Sequence, residues 1–224
     1  MMLLALDTAA NLCAACLCDP AGGHVLSRQV EDVGRGHAER LMDLVGAAMS
    51  EAGVGWSDIS RIAVCVGPGS FTGTRIGVAA ARGLALALSR PAVGVSSLEG
   101  LAAEARDHWP GRAVLAAIDA RNREIFAVLY DEAGGEVLSP ALISCEAAAG
   151  LAAKHQPVIA GSAAGILIDL AGPLDVAGCG RTADIAIYAR LAAGRLPAGK
   201  PRPLYLRGSG AASQASYALP RQEA

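Results

Sequence analysis

The sequence predicts an α/β fold built twice, as two similar lobes. Residues 3–27 reappear without a gap at residues 115–139, with twelve of 25 positions identical. The matches include Asp7 with Asp119, Asp19 with Asp131, and Ala21-Gly22-Gly23 with Ala133-Gly134-Gly135. The offset of 112 is half of the 224-residue chain, and a repeat at such a period reports architecture. A hydrophobic content of 53% supplies apolar material for more than one core.

The elements of the first half follow from their patterns. Met2–Leu6 is a short apolar strand ending at Asp7-Thr8, and Leu12–Cys18 is the next strand. Asp19–Gly23 is a turn and His24–Glu31 a third strand, because Gly-Gly between alternating runs signals a hairpin. Gly36–Ala52 is a helix whose apolar positions recur at the 3.6 period, stopped by Gly53. Ile59–Val66 is a buried strand, Gly67–Gly73 a tight loop, and Thr74–Ser89 a second helix. Pro91–Val95 is a strand and Ser97–Arg106 a helix. His108-Trp109-Pro110-Gly111 breaks the pattern.

The second half repeats the plan. Strands are expected at Ala113–Ile118, Glu124–Tyr130 and Glu136–Leu142. A helix covers Glu146–His155, a strand Pro157–Ala160 and a helix Thr182–Leu196, while Ala163–Leu170 is ambiguous. The expected division is a first lobe at 1–107, a second at 112–207, and a mobile tail at 208–224. Three strands in meander followed by helix, strand, helix, given twice, is the plan of the actin, sugar-kinase and heat-shock-70 ATPase superfold. A fold of that kind does not fix a function.

Composition excludes several classes. A net charge of −2 and the lack of a basic stripe argue against independent nucleic-acid binding, which depends on neutralising phosphates. The N-terminal apolar run stops at Asp7 and lacks a basic flank, so it is not a signal peptide. The expectation is a soluble, cytoplasmic protein. Cys13-x-x-Cys16-x-Cys18 lies in a strand, where Cys16 and Cys18 share one face and Cys13 points the other way. No second pair completes a zinc site, so the six cysteines are expected to be buried, reduced and structural.

The cleft of such a fold holds phosphate on a glycine-bearing turn after the first strand. Here the two turns read Asp7-Thr8-Ala9-Ala10-Asn11 and Asp119-Ala120-Arg121-Asn122-Arg123, without Gly or Lys. Asp7 and Asp119 are weak candidates for holding Mg²⁺ through water, and turn formation is the commoner role of Asp there. Gly67–Gly73 is not a P-loop, and Ser70 is not in a nucleophile elbow. His37 has no second helical ligand, and no catalytic or metal-binding set can be assigned.

The helix Thr74–Ser89 is apolar nearly all round, more than one sheet requires. Gly73, Gly77, Ala81 and Ala85 recur every four residues and suggest a smooth ridge for another helix. With the widened stripe on Gly36–Ala52, this predicts an interface with another chain. Its candidate residues are His37, Leu41, Val45 and Ala48 on the first helix and Gly73, Arg75, Gly77, Val78, Ala81 and Ala85 on the second. A fully enclosed core helix is the alternative.

Several segments resemble the TsaB (YeaZ) family of tRNA threonylcarbamoyladenosine biosynthesis proteins. They are LLALDTA at 3–9, GHAERL at 36–41, VGPGSFTGTRIGVAAARGLA at 66–85 and GVSSLEGLA at 94–102, with AAIDARNREIFAVLY at 116–130 and PLYLR at 203–207. The resemblance implies two actin-like lobes and no catalytic site. It implies pairing with a TsaD-like paralogue, which carries the metal and nucleotide-type substrate, and with a TsaE-like ATPase. The shared reaction is threonylcarbamoyl transfer to N6 of the tRNA adenosine 3′ of the anticodon, so tRNA is met only within the complex. The resemblance also implies homodimers through the same helices. The HxxxH metal motif of the TsaD-like proteins is absent, which argues against a metallopeptidase. An active ATPase or small-molecule kinase of the same superfold is the remaining alternative.

Overall fold

A computed structural model describes residues 1–19 and 23–207. Residues 20–22 of the expected turn Asp19–Gly23 and the tail expected at 208–224 lie outside the described residues. The first half forms β1 (Met2–Asp7), β2 (Leu12–Cys18), β3 (Val25–Asp32), α1 (His37–Ala52), β4 (Ile59–Cys65), α2 (Phe71–Leu88), β5 (Ala92–Val95) and α3 (Ser97–His108). The second forms β6 (Val114–Arg121), β7 (Glu124–Tyr130), β8 (Glu136–Ser144), α4 (Cys145–His155), β9 (Val158–Ala160), α5 (Ala164–Ala171), β10 (Val176–Gly178) and α6 (Ile185–Ala193). The sheets run β3-β2-β1-β4-β5 and β10-β9-β6-β7-β8, which is one order given twice. The duplication in sequence is thus a duplication in topology, and the fold is actin-like and two-lobed.

Local chemistry sets the boundaries. Antiparallel β1–β2 pairing places Leu3 opposite Cys18 and Asp7 opposite Ala14. Asp19 N–H donates to the His24 carbonyl between the antiparallel strands β2 and β3. Gly53 ends α1 in the left-handed conformation that glycine adopts without a Cβ clash. The expected start of α2 at Thr74 is three residues late. Ser70 caps the helix by accepting from Gly73 N–H, which draws Phe71-Thr72-Gly73 into the first turn. A capping box between Ser96 and Glu99 opens α3. The ambiguous segment at 163–170 is α5, and β10 has no counterpart among the expected strands. The last helix is shorter than the expected Thr182–Leu196, because Asp184 caps it by accepting from Ala186 N–H.

The layers do not follow the chain. α1 and α2 cover the outer face of the first sheet, and α4 and α5 that of the second. Between the sheets lie α3 and α6, and they are crossed. α3 packs on β6, β7 and β9 of the second sheet, whereas α6 packs on β1, β2, β4 and β5 of the first. The central core accordingly mixes the halves, with Leu3, Ala5, Val95 and Leu98 beside Val114, Ile118, Val128 and Tyr188. Each large apolar side chain buried there contributes roughly 1.5–3 kcal/mol. The break at 108–111 separates the sheets along the chain, but the packing of 97–108 and 185–193 joins them.

Five cysteines are buried, with Cys16 and Cys18 in the central core and Cys13 in the outer one. Cys179 is exposed, contrary to the expected burial, because it follows the short edge strand β10. Among the described residues no helix is long and apolar enough to cross a membrane.

Candidate functional site

The turn after β1 is where the superfold puts phosphate. Asp7 is buried there, and its Oδ1 accepts from Ala9 N–H at 2.8 Å. The Gly67–Gly73 loop sits directly on this turn. Ser70 N–H donates to the Ala9 carbonyl at 2.6 Å, and Thr8 Oγ1 donates to the Gly73 carbonyl at 2.7 Å. Ser97 clamps the loop from the other side, its N–H on the Gly67 carbonyl at 2.8 Å and its hydroxyl on the Pro68 carbonyl at 2.9 Å. The Ala9 and Ser70 N–H groups of these two loops are thus used within the chain. Burial raises the Asp7 carboxyl above its ordinary value, against the lowering effect of hydrogen bonds from Thr182 and Ala9.

The second turn is built alike but stands open. Asp119 Oδ1 accepts from Arg121 N–H at 2.8 Å, repeating the bond made by Asp7. Asp119 lines a surface cavity of about 460 Å³ with Arg121, Asn122, Cys145 and Asp169. Arg181 and Arg207 donate to the carbonyls of Asp119 and Ala120 at 3.0 and 3.2 Å. Among the described residues no group of three or more His, Cys, Asp or Glu side chains is placed to hold a metal ion.

On the outer helices of the first lobe the expected interface residues mostly face inward. Leu41, Val45, Ala48, Val78 and Ala81 are buried in the lobe's own core against β1, β2 and β4. Ala85 packs half-buried on the same core. The small-residue ridge also faces inward. A Cβ on Gly73 would lie 2.0 Å from the Thr8 carbonyl oxygen, and one on Gly77 2.5 Å from Thr8 Oγ1. The Gly73 and Gly77 end of the ridge therefore admits the end of β1. His37 is buried at the start of α1 with Nε2 unpaired, so a surface role does not apply. Of the ten candidates only Arg75 is exposed.

The outward face is made by other residues. Phe71, Arg75, Ala79, Arg82 and Leu86 are exposed on α2 and fall within an arc of about 80° at 3.6 residues per turn. Leu86 is 82% exposed and Phe71 59%. Met42, Gly46 and Ala47 are exposed on the neighbouring α1. Arg75 stacks over the Phe71 ring at 3.7 Å and donates through Nε to the Tyr205 hydroxyl at 2.7 Å. An outer face bearing exposed Phe and Leu among small residues has the composition of an interaction surface. The signal was present in the sequence, since Phe71, Arg75, Ala79 and Leu86 keep helical spacing. Starting the helix at Thr74 hid it.

The model of the TsaD family, tRNA N6-adenosine threonylcarbamoyltransferase, matches residues 24–194. The chain is 38% identical over 136 residues to the tRNA threonylcarbamoyladenosine biosynthesis protein TsaB of Escherichia coli K12, covering 60% of this chain and 58% of that protein. It is 39% identical over 87 residues to the tRNA N6-adenosine threonylcarbamoyltransferase of Erythrobacter litoralis, covering 39% of this chain and 24% of that one. Among solved structures, YeaZ from Pseudomonas aeruginosa superposes with a TM-score of 0.77 at 31% identity, covering 92% of this chain and 99% of that one. The matched stretch spans about half the length of the curated TsaB relatives.

Proposed function

Since the chain belongs to the TsaB (YeaZ) family, within the wider TsaD threonylcarbamoyltransferase family, we propose that it is a non-catalytic partner of a TsaD-like protein in tRNA threonylcarbamoyladenosine formation. It stabilises and orients that protein through the outer face of α1 and α2. Transfer of the threonylcarbamoyl group to N6 of adenosine takes place on the partner, which holds the metal and the substrate. A TsaE-like ATPase joins the pair, and tRNA is bound by the assembly. The same face also supports a homodimer.

The observation that carries this reading is a contrast within the first lobe. Its phosphate-type turn is filled by its own Gly67–Gly73 loop. Its outer helix shows solvent a Phe, an Ala and a Leu at helical spacing. Association through such a face derives most of its energy from a few large side chains.

The test is reconstitution of threonylcarbamoyl transfer from the TsaD-like and TsaE-like proteins, with and without this chain. Transfer is expected to fall sharply when the chain is omitted. Leu86→Asp is expected to weaken pairing by at least about 2 kcal/mol, roughly 30-fold in Kd. Full transfer without the chain, or Mg²⁺-dependent ATP turnover by the chain alone, would show the reading to be wrong.

A further inference from the structure

Asp7 has a second bond that its duplicate Asp119 lacks. Oδ2 accepts a short hydrogen bond from the Thr182 hydroxyl, 175 residues away in the chain. Thr182 Oγ1 in turn lies 2.6 Å from the Tyr188 hydroxyl, and Ala183 N–H donates to that hydroxyl at 3.1 Å. The hydrogen positions follow from the partners. The Asp7 carboxylate can only accept and takes the single Thr182 proton, so Tyr188 gives its own proton to Thr182 and accepts from Ala183 N–H. The chain runs in one direction, from a backbone amide through two hydroxyls to Asp7.

These groups sit where the layers meet. Asp7 ends β1 of the first sheet, Thr182 leads into α6, and Tyr188 lies on the first turn of α6. Asp7 and Tyr188 are each at most 1% exposed. The Tyr188 ring fills the space above Gly100 of α3, where a Cβ would lie 2.6 Å from Cε1. The chain thus joins the first sheet to both helices of the central layer. A buried network with every member satisfied specifies one arrangement, because any other leaves donors unpaired in an apolar core.

We propose that Asp7 is the latch that closes the two lobes on each other. The carboxylate that the duplicated turn would offer to a cation holds Thr182 and, through it, Tyr188. It fixes α6 on the first sheet and keeps the space between the lobes shut. The proposal goes beyond the pairing reading and needs no partner for its test.

Amide hydrogen exchange is measured on the full chain and on Thr182→Val and Tyr188→Phe, each of which removes only a hydroxyl or its equivalent. Peptides covering 2–10 and 182–193 are expected to exchange at least about tenfold faster in either variant, with α1 and α4 unchanged. Asp7→Asn added to Thr182→Val is expected to give no further acceleration, because the bond is already gone. If Thr182→Val fails to fold, Tyr188→Phe carries the same comparison. Unchanged exchange at 2–10 and 182–193, or equal acceleration along the whole chain, overturns the latch. So does slower exchange at 2–10 on adding Mg²⁺ with ATP to the wild type, if Asp7→Asn abolishes it, since Asp7 would then be a cation ligand.

Discussion

The two aspartate turns began as copies and now have opposite surroundings. Asp7 and Asp119 each accept from the N–H two residues on, at 2.8 Å in both lobes. Short-range chemistry has therefore been kept. Asp7 is buried under the Gly67–Gly73 loop and held by Thr182, whereas Asp119 faces an open cavity. The difference teaches that a turn motif fixes local geometry and nothing about the charge it carries. Burial and distant partners decide that.

The sharpest way to break the comparison is to delete both carboxylates in turn. Asp7→Ala leaves the Thr182 hydroxyl and the Ala9 N–H without their acceptor in the core, and is expected to cost about 3 kcal/mol. Asp119→Ala, half-exposed, is expected to cost about 0.5 kcal/mol. Urea denaturation of both variants checks this, and equal costs would mean that the turns are still equivalent.

A smaller effect sharpens the electrostatics. Burial, the largest influence, holds the Asp7 carboxyl above its value in the unfolded chain. Folding therefore costs the ionised form more than the protonated one. The protonated form's contribution is full below the unfolded value and is lost as pH rises through the folded one. Wild-type stability relative to Asp7→Asn should accordingly fall as pH rises from the ordinary carboxylate range towards neutrality. Denaturation curves across that range measure the slope, and a slope of the other sign refutes the assignment.

The thiols extend the contrast to the alkaline side. Desolvation raises Cys13 and Cys18 to about 11 and Cys16 to about 12, all in β2 of the first lobe. Their contribution is present below the ordinary thiol value of 9.0 and is lost as pH rises towards 11–12. Cys16→Ala should flatten the alkaline loss of stability. In native protein at neutral pH, alkylation followed by mass spectrometry should mark Cys179 alone, since the other five thiols are buried. The smallest effect is on the outer faces. Leu86→Asp on α2 and Leu170→Asp on α5 should each change stability by no more than about 0.5 kcal/mol, because both side chains are already exposed. Only the first should disturb pairing.

Much of the fold was legible because it is local. Periodicity and turn residues placed β1, β2, β7 and α1 to within a residue of their observed bounds. The poverty of the phosphate turns was equally legible. Three things were not. Val176–Gly178 is too short and too small-residue-rich to signal a strand. The apolar circumference of α2 was legible, but residue size alone misassigned its faces, since small residues serve close approach to the chain's own backbone as well as to a partner's. The bond from Thr182 to Asp7 joins residues 175 positions apart, and no pattern within a window reports it.

The crossing of α3 and α6 has a consequence for how the chain comes into being. On the ribosome the first sheet is complete once β5 has emerged, yet the helix that covers its inner face is α6, at residues 185–193. Until then the inner face of β1, β2 and β4 is without its helix. Contacts of such long sequence separation form slowly and leave apolar surface open in the meantime. The inner face of the first sheet is thus completed only by α6, the last helix among the described residues. A nascent chain stopped before residue 185 should be captured by chaperones that the finished protein ignores.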